Sequence, residues 1–137
     1  MRADDGPARA ITTSDDIQRV FAAFAGGDAR ALYEVIAEDA VWSVPGGVSV
    51  SREYRGREAI LGLFRETRRL TEGSYRSELR WALADDEHGV AVYRARGQRL
   101  GRELDIDQVL LITLRDGRWQ EILALPVDPA AFAAFWG

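Results

Sequence analysis

Near Ala40 the apolar repeat of the sequence changes from helical spacing to alternation, and most of the chain beyond Gly73 alternates. Before that point Ile17, Val20, Phe21 and Phe24 recur at three- and four-residue intervals. Thr13 or Ser14 can cap this helix, and Asp15 and Asp16 suit its electropositive first turn. Gly26-Gly27 ends it. Asp28 is a candidate cap for a second helix in which Leu32, Val35 and Ile36 share a face, with Tyr33 beside them. Val41 to Val44 then read as a short strand, stopped by Pro45-Gly46-Gly47 and followed by a loop that holds Tyr54. Arg55-Gly56-Arg57-Glu58 leads into a third helix with Ile60, Leu61 and Phe64 as its apolar stripe, ending around Gly73.

Strands dominate the remainder. Leu79, Trp81 and Leu83 alternate with Glu78, Arg80 and Ala82, and residues 85–89 supply a turn. Strands over 90–98, 104–114 and 119–125 are separated by Arg99-Leu100-Gly101-Arg102 and Arg115-Asp116-Gly117-Arg118, both hairpin-like connections. Pro126 closes the last strand. Asp128 before Pro129 matches a capping residue with proline at the first helical position, so a short helix carrying Phe132, Phe135 and Trp136 follows. Helices first and hairpin-linked strands afterwards predict an α+β fold. Residues 1–12 are polar and aperiodic, an expected loose arm ahead of one domain over 13–137.

Composition narrows the function. A net charge of −4 is a poor match for a surface that neutralises phosphates, so nucleic acid is not an expected partner. The absence of Cys removes disulfides and thiolate nucleophiles, and a single His leaves no imidazole cluster for zinc. No apolar run approaches membrane-spanning length and the first residues lack a signal-peptide core, which makes the cytoplasm the expected compartment and a membrane an unexpected partner. Neither metal nor cofactor is invoked.

Four stretches then come in a telling order: Glu38-Asp-Ala-Val-Trp42-Ser-Val-Pro-Gly46, Tyr54-Arg-Gly-Arg-Glu-Ala-Ile60, Leu83-Ala-Asp-Asp86 and Arg115-Asp-Gly-Arg-Trp119-Gln-Glu. Over residues 14–136 their order and spacing resemble the SnoaL-like branch of the nuclear-transport-factor-2-like superfamily. That resemblance implies a strongly curved, mostly antiparallel sheet wrapped round N-terminal helices, a short C-terminal helix, a deep apolar cavity and a homodimer. It also implies several possible functions, because relatives include isomerases, polyketide cyclases, epoxide hydrolases, dehydratases and non-catalytic modules. In ketosteroid isomerase relatives a carboxylate at the end of the first strand moves protons, while a helix Tyr and a protonated Asp hold the oxyanion. Val44, Val20 and Leu110 fall at those three positions, and none can exchange a proton.

The same alignment lines the cavity with Val20, Phe24, Trp42, Val44, Phe64, Tyr93, Ala95, Gln108, Leu110, Ile122 and Ala124, under a lid carrying Phe132 and Trp136. Tyr93 is either a core phenol or a hydrogen-bond donor to a carbonyl or developing oxyanion. Gln108 offers a donor and an acceptor to a ligand, or is an exposed strand residue. Asp128 is a candidate general base whose simpler role is to cap the last helix. Tyr54 is a candidate pocket gate or a loop anchor, and Trp42 a flat ligand platform or a core residue. Glu103, Asp105 and Asp107 share a strand face, which suits ion pairing with Arg94 and Arg96 better than a hard metal. His88 and the group Arg65, Arg68 and Arg69 read as solvated.

The leading expectation is a SnoaL-like enzyme for an apolar carbonyl-containing or polycyclic metabolite, performing cyclisation, isomerisation or a related proton transfer in natural-product biosynthesis. The alternatives are a ligand-binding or dimerising module without turnover, and an epoxide hydrolase.

Overall fold

The computed structural model describes residues 14–26 and 30–137, without the side chains of 23–26, 31 and 32. The arm at 1–12, the caps at Thr13 and Asp28, and the Phe24 and Leu32 side chains lie outside the described residues. The chain runs α1 (Ser14–Gly26), α2 (Arg30–Val35), β1 (Ile36–Val44), β2 (Arg52–Arg55), α3 (Arg57–Leu70), β3 (Arg76–Ala84), β4 (His88–Arg99), β5 (Arg102–Arg115), β6 (Arg118–Pro126) and α4 (Pro129–Trp136). The fold is α+β. Six strands form one open, curved sheet in the order β2-β1-β6-β5-β4-β3, with β1 and β6 parallel and the other neighbours antiparallel.

Both dipeptide turns form as expected. Leu100-Gly101 and Asp116-Gly117 take positive φ throughout (52° and 75°, 53° and 76°), the pairing that lets a two-residue loop match strand twist. Their flanks, Arg99 with Arg102 and Arg115 with Arg118, close the hairpins. Helix α3 starts after Gly56, whose φ of 86° suits glycine. It ends at Thr71, short of Gly73, which at φ 85° turns back to donate its N–H to the Arg68 carbonyl at 2.8 Å.

Three expectations fail locally. Ile36 leaves the second helix and opens β1, because its buried side chain sits against the sheet and pairs beside Trp119. Tyr54 lies in edge strand β2, not in a loop; the segment is too short and charged for a period-two signal to stand out. The alternation of Leu79, Trp81 and Leu83 breaks at Arg80, where the β3–β4 register slips. Leu79 pairs with the inward Tyr93, whereas Trp81 and Leu83 pair with Val92 and Val90 on the outer face and are 50% and 66% exposed.

The core occupies the inner face. Ala91, Tyr93, Ile106, Leu110, Ile112 and Ile122 point inward from β4, β5 and β6, and α1, α3 and α4 cover them with Ile17, Val20, Ile60, Leu63 and Phe135.

Candidate active site

Between that inner face and the helices a cavity of about 770 Å³ remains open, well within the range of small-molecule sites. Tyr93, Gln108, Leu110 and Ala124 line it from the sheet, Trp42 and Val44 from β1, and Phe21 from α1. Phe64, Thr67 and Arg68 face it from α3, the i, i+3, i+4 spacing of one helix side. The segment from Gly73 to Glu78 completes the lining, with Tyr75 its aromatic member. Aromatic rings stiffen these walls: Phe21 tilts against Tyr93 with centroids 5.2 Å apart, and Trp42 meets Phe64 edge-on at the same separation.

Helix α4 contributes Phe132 and Trp136 as a fixed wall and not as a loose lid. Its N-terminus is capped by Asp128, whose carboxylate accepts from the Ala131 N–H at 3.0 Å. At its C-terminus Arg99 donates to the Phe135 carbonyl and Arg102 to the Gly137 carbonyl, each at 2.9 Å, placing two cations at the negative end of the helix. The Ser49 hydroxyl donates to the Trp136 carbonyl at 2.7 Å. The helix is thus held at both ends.

Tyr93 and Gln108 are cross-strand partners, each only 5% exposed. The Gln108 amide donates to the Tyr93 hydroxyl oxygen at 2.8 Å. Gln108 Oε1 is buried with no hydrogen-bond partner, and no acceptor for the Tyr93 O–H occurs among the described residues. The pair therefore keeps the Tyr93 O–H and the second Gln108 N–H as spare donors and Gln108 Oε1 as a spare acceptor; with the amide's oxygen and nitrogen exchanged, the phenol O–H is donated to Gln108 and the amide N–H groups become the spare donors. Burial pushes the Tyr93 phenol well above its ordinary range; neighbouring Tyr75 adds to the rise and the Gln108 hydrogen bond offsets part of it. Tyr93 is a neutral donor at any physiological pH. An unsatisfied buried amide oxygen costs about 1–3 kcal/mol, which a matching ligand group would recover.

Other candidates fall elsewhere. Val20, Ala95 and Ile122 are buried in the core and do not line the cavity, whereas Phe21, the neighbour of Val20, does. Tyr54 is no gate: its hydroxyl donates to the Val50 carbonyl at 2.7 Å, and it is Val50 that lines the cavity. Asp128 caps α4 and does not line the cavity. Among the described lining residues Glu78 is the one carboxylate, and it pairs with Arg96 at 3.4 Å. Asp105 and Asp107 pair with Arg94 at 2.7 and 3.2 Å, as cross-strand neighbours should. His88 is exposed beside Asp85.

Sequence reasoning missed Phe21, Val50, Leu63, Thr67 and Tyr75. For Leu63 and Thr67 the helical spacing around Phe64 carried a usable signal; Tyr75 sits in a connection with no periodicity to read.

Fold and cavity together define a cup-shaped α+β protein with an open cavity of small-molecule size. The family model described as the SnoaL-like domain matches residues 17–122, and the chain belongs to this SnoaL-like family of the nuclear-transport-factor-2-like superfamily. The uncharacterized protein Rv0034 of Mycobacterium tuberculosis is 33% identical over 123 residues, covering 89% of this chain and 94% of the relative. Among solved structures, Bal32a from a soil-derived mobile gene cassette superposes with a TM-score of 0.84 at 28% identity, over 90% of this chain and 95% of its own. IdmH of Streptomyces antibioticus, described as a candidate polyketide cyclase, gives 0.70 at 26% identity, over 88% and 95%.

Proposed function

We propose that this protein is an enzyme for a small, mainly apolar, carbonyl-containing or polycyclic metabolite, on which it promotes cyclisation, isomerisation or a related proton transfer. The buried Tyr93–Gln108 pair carries this reading, with its spare donors and acceptor facing a cavity that Phe21, Trp42, Val44 and Leu110 line together with charged residues such as Arg68 and Glu78. The Tyr93 O–H donates to the substrate carbonyl and strengthens that bond as negative charge develops on oxygen, in a dry site where a fixed donor is most effective. Gln108 accepts from a neighbouring hydroxyl or enol and fixes the orientation. The described lining supplies an oxyanion partner without a deep base. A substrate whose reacting hydrogen is already acidic, flanked by two carbonyls, therefore suits it better than a simple ketone. The likeness to IdmH agrees with chemistry of this kind.

A second reading, a ligand-binding module without turnover, draws on one specific observation: Val44 and Leu110 line the cavity where ketosteroid isomerase relatives carry a proton-moving carboxylate and an oxyanion-holding Asp, and Asp128 caps a helix. Epoxide hydrolysis is less well supported, because an acid and base around one water need more than the single carboxylate Glu78.

Incubation with cyclic and polycyclic 1,3-diketones separates these. A catalyst turns one over, and Tyr93→Phe and Gln108→Leu each lower turnover by roughly tenfold or more while the fold is kept. Tight retention without product on prolonged incubation supports the binding module, and neither binding nor turnover by any such compound contradicts the enzyme reading.

A further inference from the structure

The cavity holds a second phenol that the proposed reaction does not use. Tyr75 lines it from the segment between α3 and β3, and its ring tilts against Trp136 of α4 with centroids 6.0 Å apart. That segment is short and closely held. Glu72 and Gly73 take positive φ of 52° and 85° and reverse the chain. Thr71, 2% exposed, accepts from the Tyr75 N–H at 3.1 Å and donates through the same Oγ1 to the Thr67 carbonyl at 2.7 Å. The Ser74 hydroxyl donates to the Thr71 carbonyl at 2.7 Å and accepts from the Gln98 N–H of β4 at 2.9 Å. Gly97 lets the segment lie on the sheet, since a Cβ there would stand 3.4 Å from Tyr75 Cα and 3.7 Å from its ring.

Packing explains the ring but not the hydroxyl. Burial raises the Tyr75 phenol above its ordinary range, and the hydrogen bond of the Ser77 side chain offsets part of the rise. Among the described residues no backbone carbonyl or carboxylate accepts from the Tyr75 O–H. Like Tyr93, this phenol therefore keeps a proton to donate into the cavity.

We propose that Tyr75 is a second substrate-binding donor, holding a carbonyl oxygen on a ring remote from the one at Tyr93 and Gln108. This rests on the proposed function and narrows its substrate to polycyclic compounds oxygenated at both ends. The spacing suits such a shape. Tyr75 rests on Gly97, which lies four residues along β4 from Tyr93, a backbone span of about 13 Å. The two side chains shorten that span, since Tyr75 is close enough to disfavour the Tyr93 phenolate. Trp42, Phe64 and Trp136 offer flat faces to the rings of a ligand of this kind. A ligand with one oxygen function at one end satisfies only one of the two phenols.

Calorimetric titration tests this with two tricyclic 1,3-diketones of one carbon skeleton, one of them bearing a further ketone on the ring farthest from the diketone. The wild type should bind the ketone-bearing compound about tenfold more tightly. Tyr75→Phe, which keeps the ring and its packing on Trp136, should abolish that preference and leave the affinity for the simpler compound unchanged. Tyr93→Phe should weaken both. A wild type without the preference, or a Tyr75→Phe variant that keeps it, overturns the assignment, while weakening of both compounds by Tyr93→Phe leaves the proposed function standing. Equal weakening of both compounds by Tyr75→Phe marks a packing role and also overturns the assignment. A wild type that binds neither compound overturns it together with the proposed function.

Discussion

Leu111 and Ile112 are neighbours in β5, yet they belong to different surfaces. Ile112 is 2% exposed on the inner face, among core side chains, while Leu111 is 41% exposed on the outer face, which no described helix covers. The contrast extends across β3 to β6. Inside, large aromatic and branched residues enclose a cavity with two convergent polar groups; outside, Val, Leu and one Trp make a shallow apolar field with a neutralised rim. Alternation alone tells these faces apart, so a single slipped residue, as at Arg80, moves a Trp and a Leu from one to the other.

The largest expected effect separates the faces directly. Ile112→Ala should cost about 2–5 kcal/mol of unfolding free energy, because it leaves a hole in a packed core, whereas Leu111→Ala should cost under about 1 kcal/mol in denaturant titrations dilute enough to exclude association. The inner face also carries a pH signature. Tyr93 is held neutral in the folded chain, so the unfolded chain loses its phenol proton first as pH rises past the ordinary value of about 10. Its contribution is fully present below that value and is lost above it; thermal melts of the wild type should fall there more steeply than those of Tyr93→Phe.

Smaller effects sharpen the boundaries. Asp128→Ala should lower stability by about 1 kcal/mol through loss of the helix cap and leave turnover per folded molecule unchanged; a general base would show the reverse in a kinetic assay. Leu100, at φ 52° and 78% exposed, occupies a turn position that Asn fills more easily. Leu100→Asn should therefore gain about 0.5 kcal/mol in chemical denaturation.

The order of the elements apart from β2, the β4–β5 and β5–β6 turns and the final helix were legible, the turns and helix for local chemical causes: Leu-Gly and Asp-Gly at left-handed positions, and Asp-Pro at a helix start. The inward direction of Tyr93 and Gln108 was legible too, since β4 and β5 alternate without interruption between their turns. Tyr54 was not, because strand β2 owes its existence to pairing with β1, a tertiary fact with no local pattern. The bulge at Arg80 was equally hidden, as Trp81 and Leu83 look like core residues until the neighbouring strand fixes their register. At the site, Val20 and Phe21 were exchangeable on helical spacing alone, and only packing decides which one reaches the cavity.

The central claim is that the phenol and amide at the sheet floor receive a ligand's oxygen atoms. A crystal structure with a polycyclic 1,3-diketone tests it most directly. One ligand oxygen should lie about 2.6–2.8 Å from Tyr93 Oη, with a second polar atom within hydrogen-bonding reach of the Gln108 amide. A ligand seated elsewhere, or one filling the cavity with no polar atom near either side chain, would contradict it.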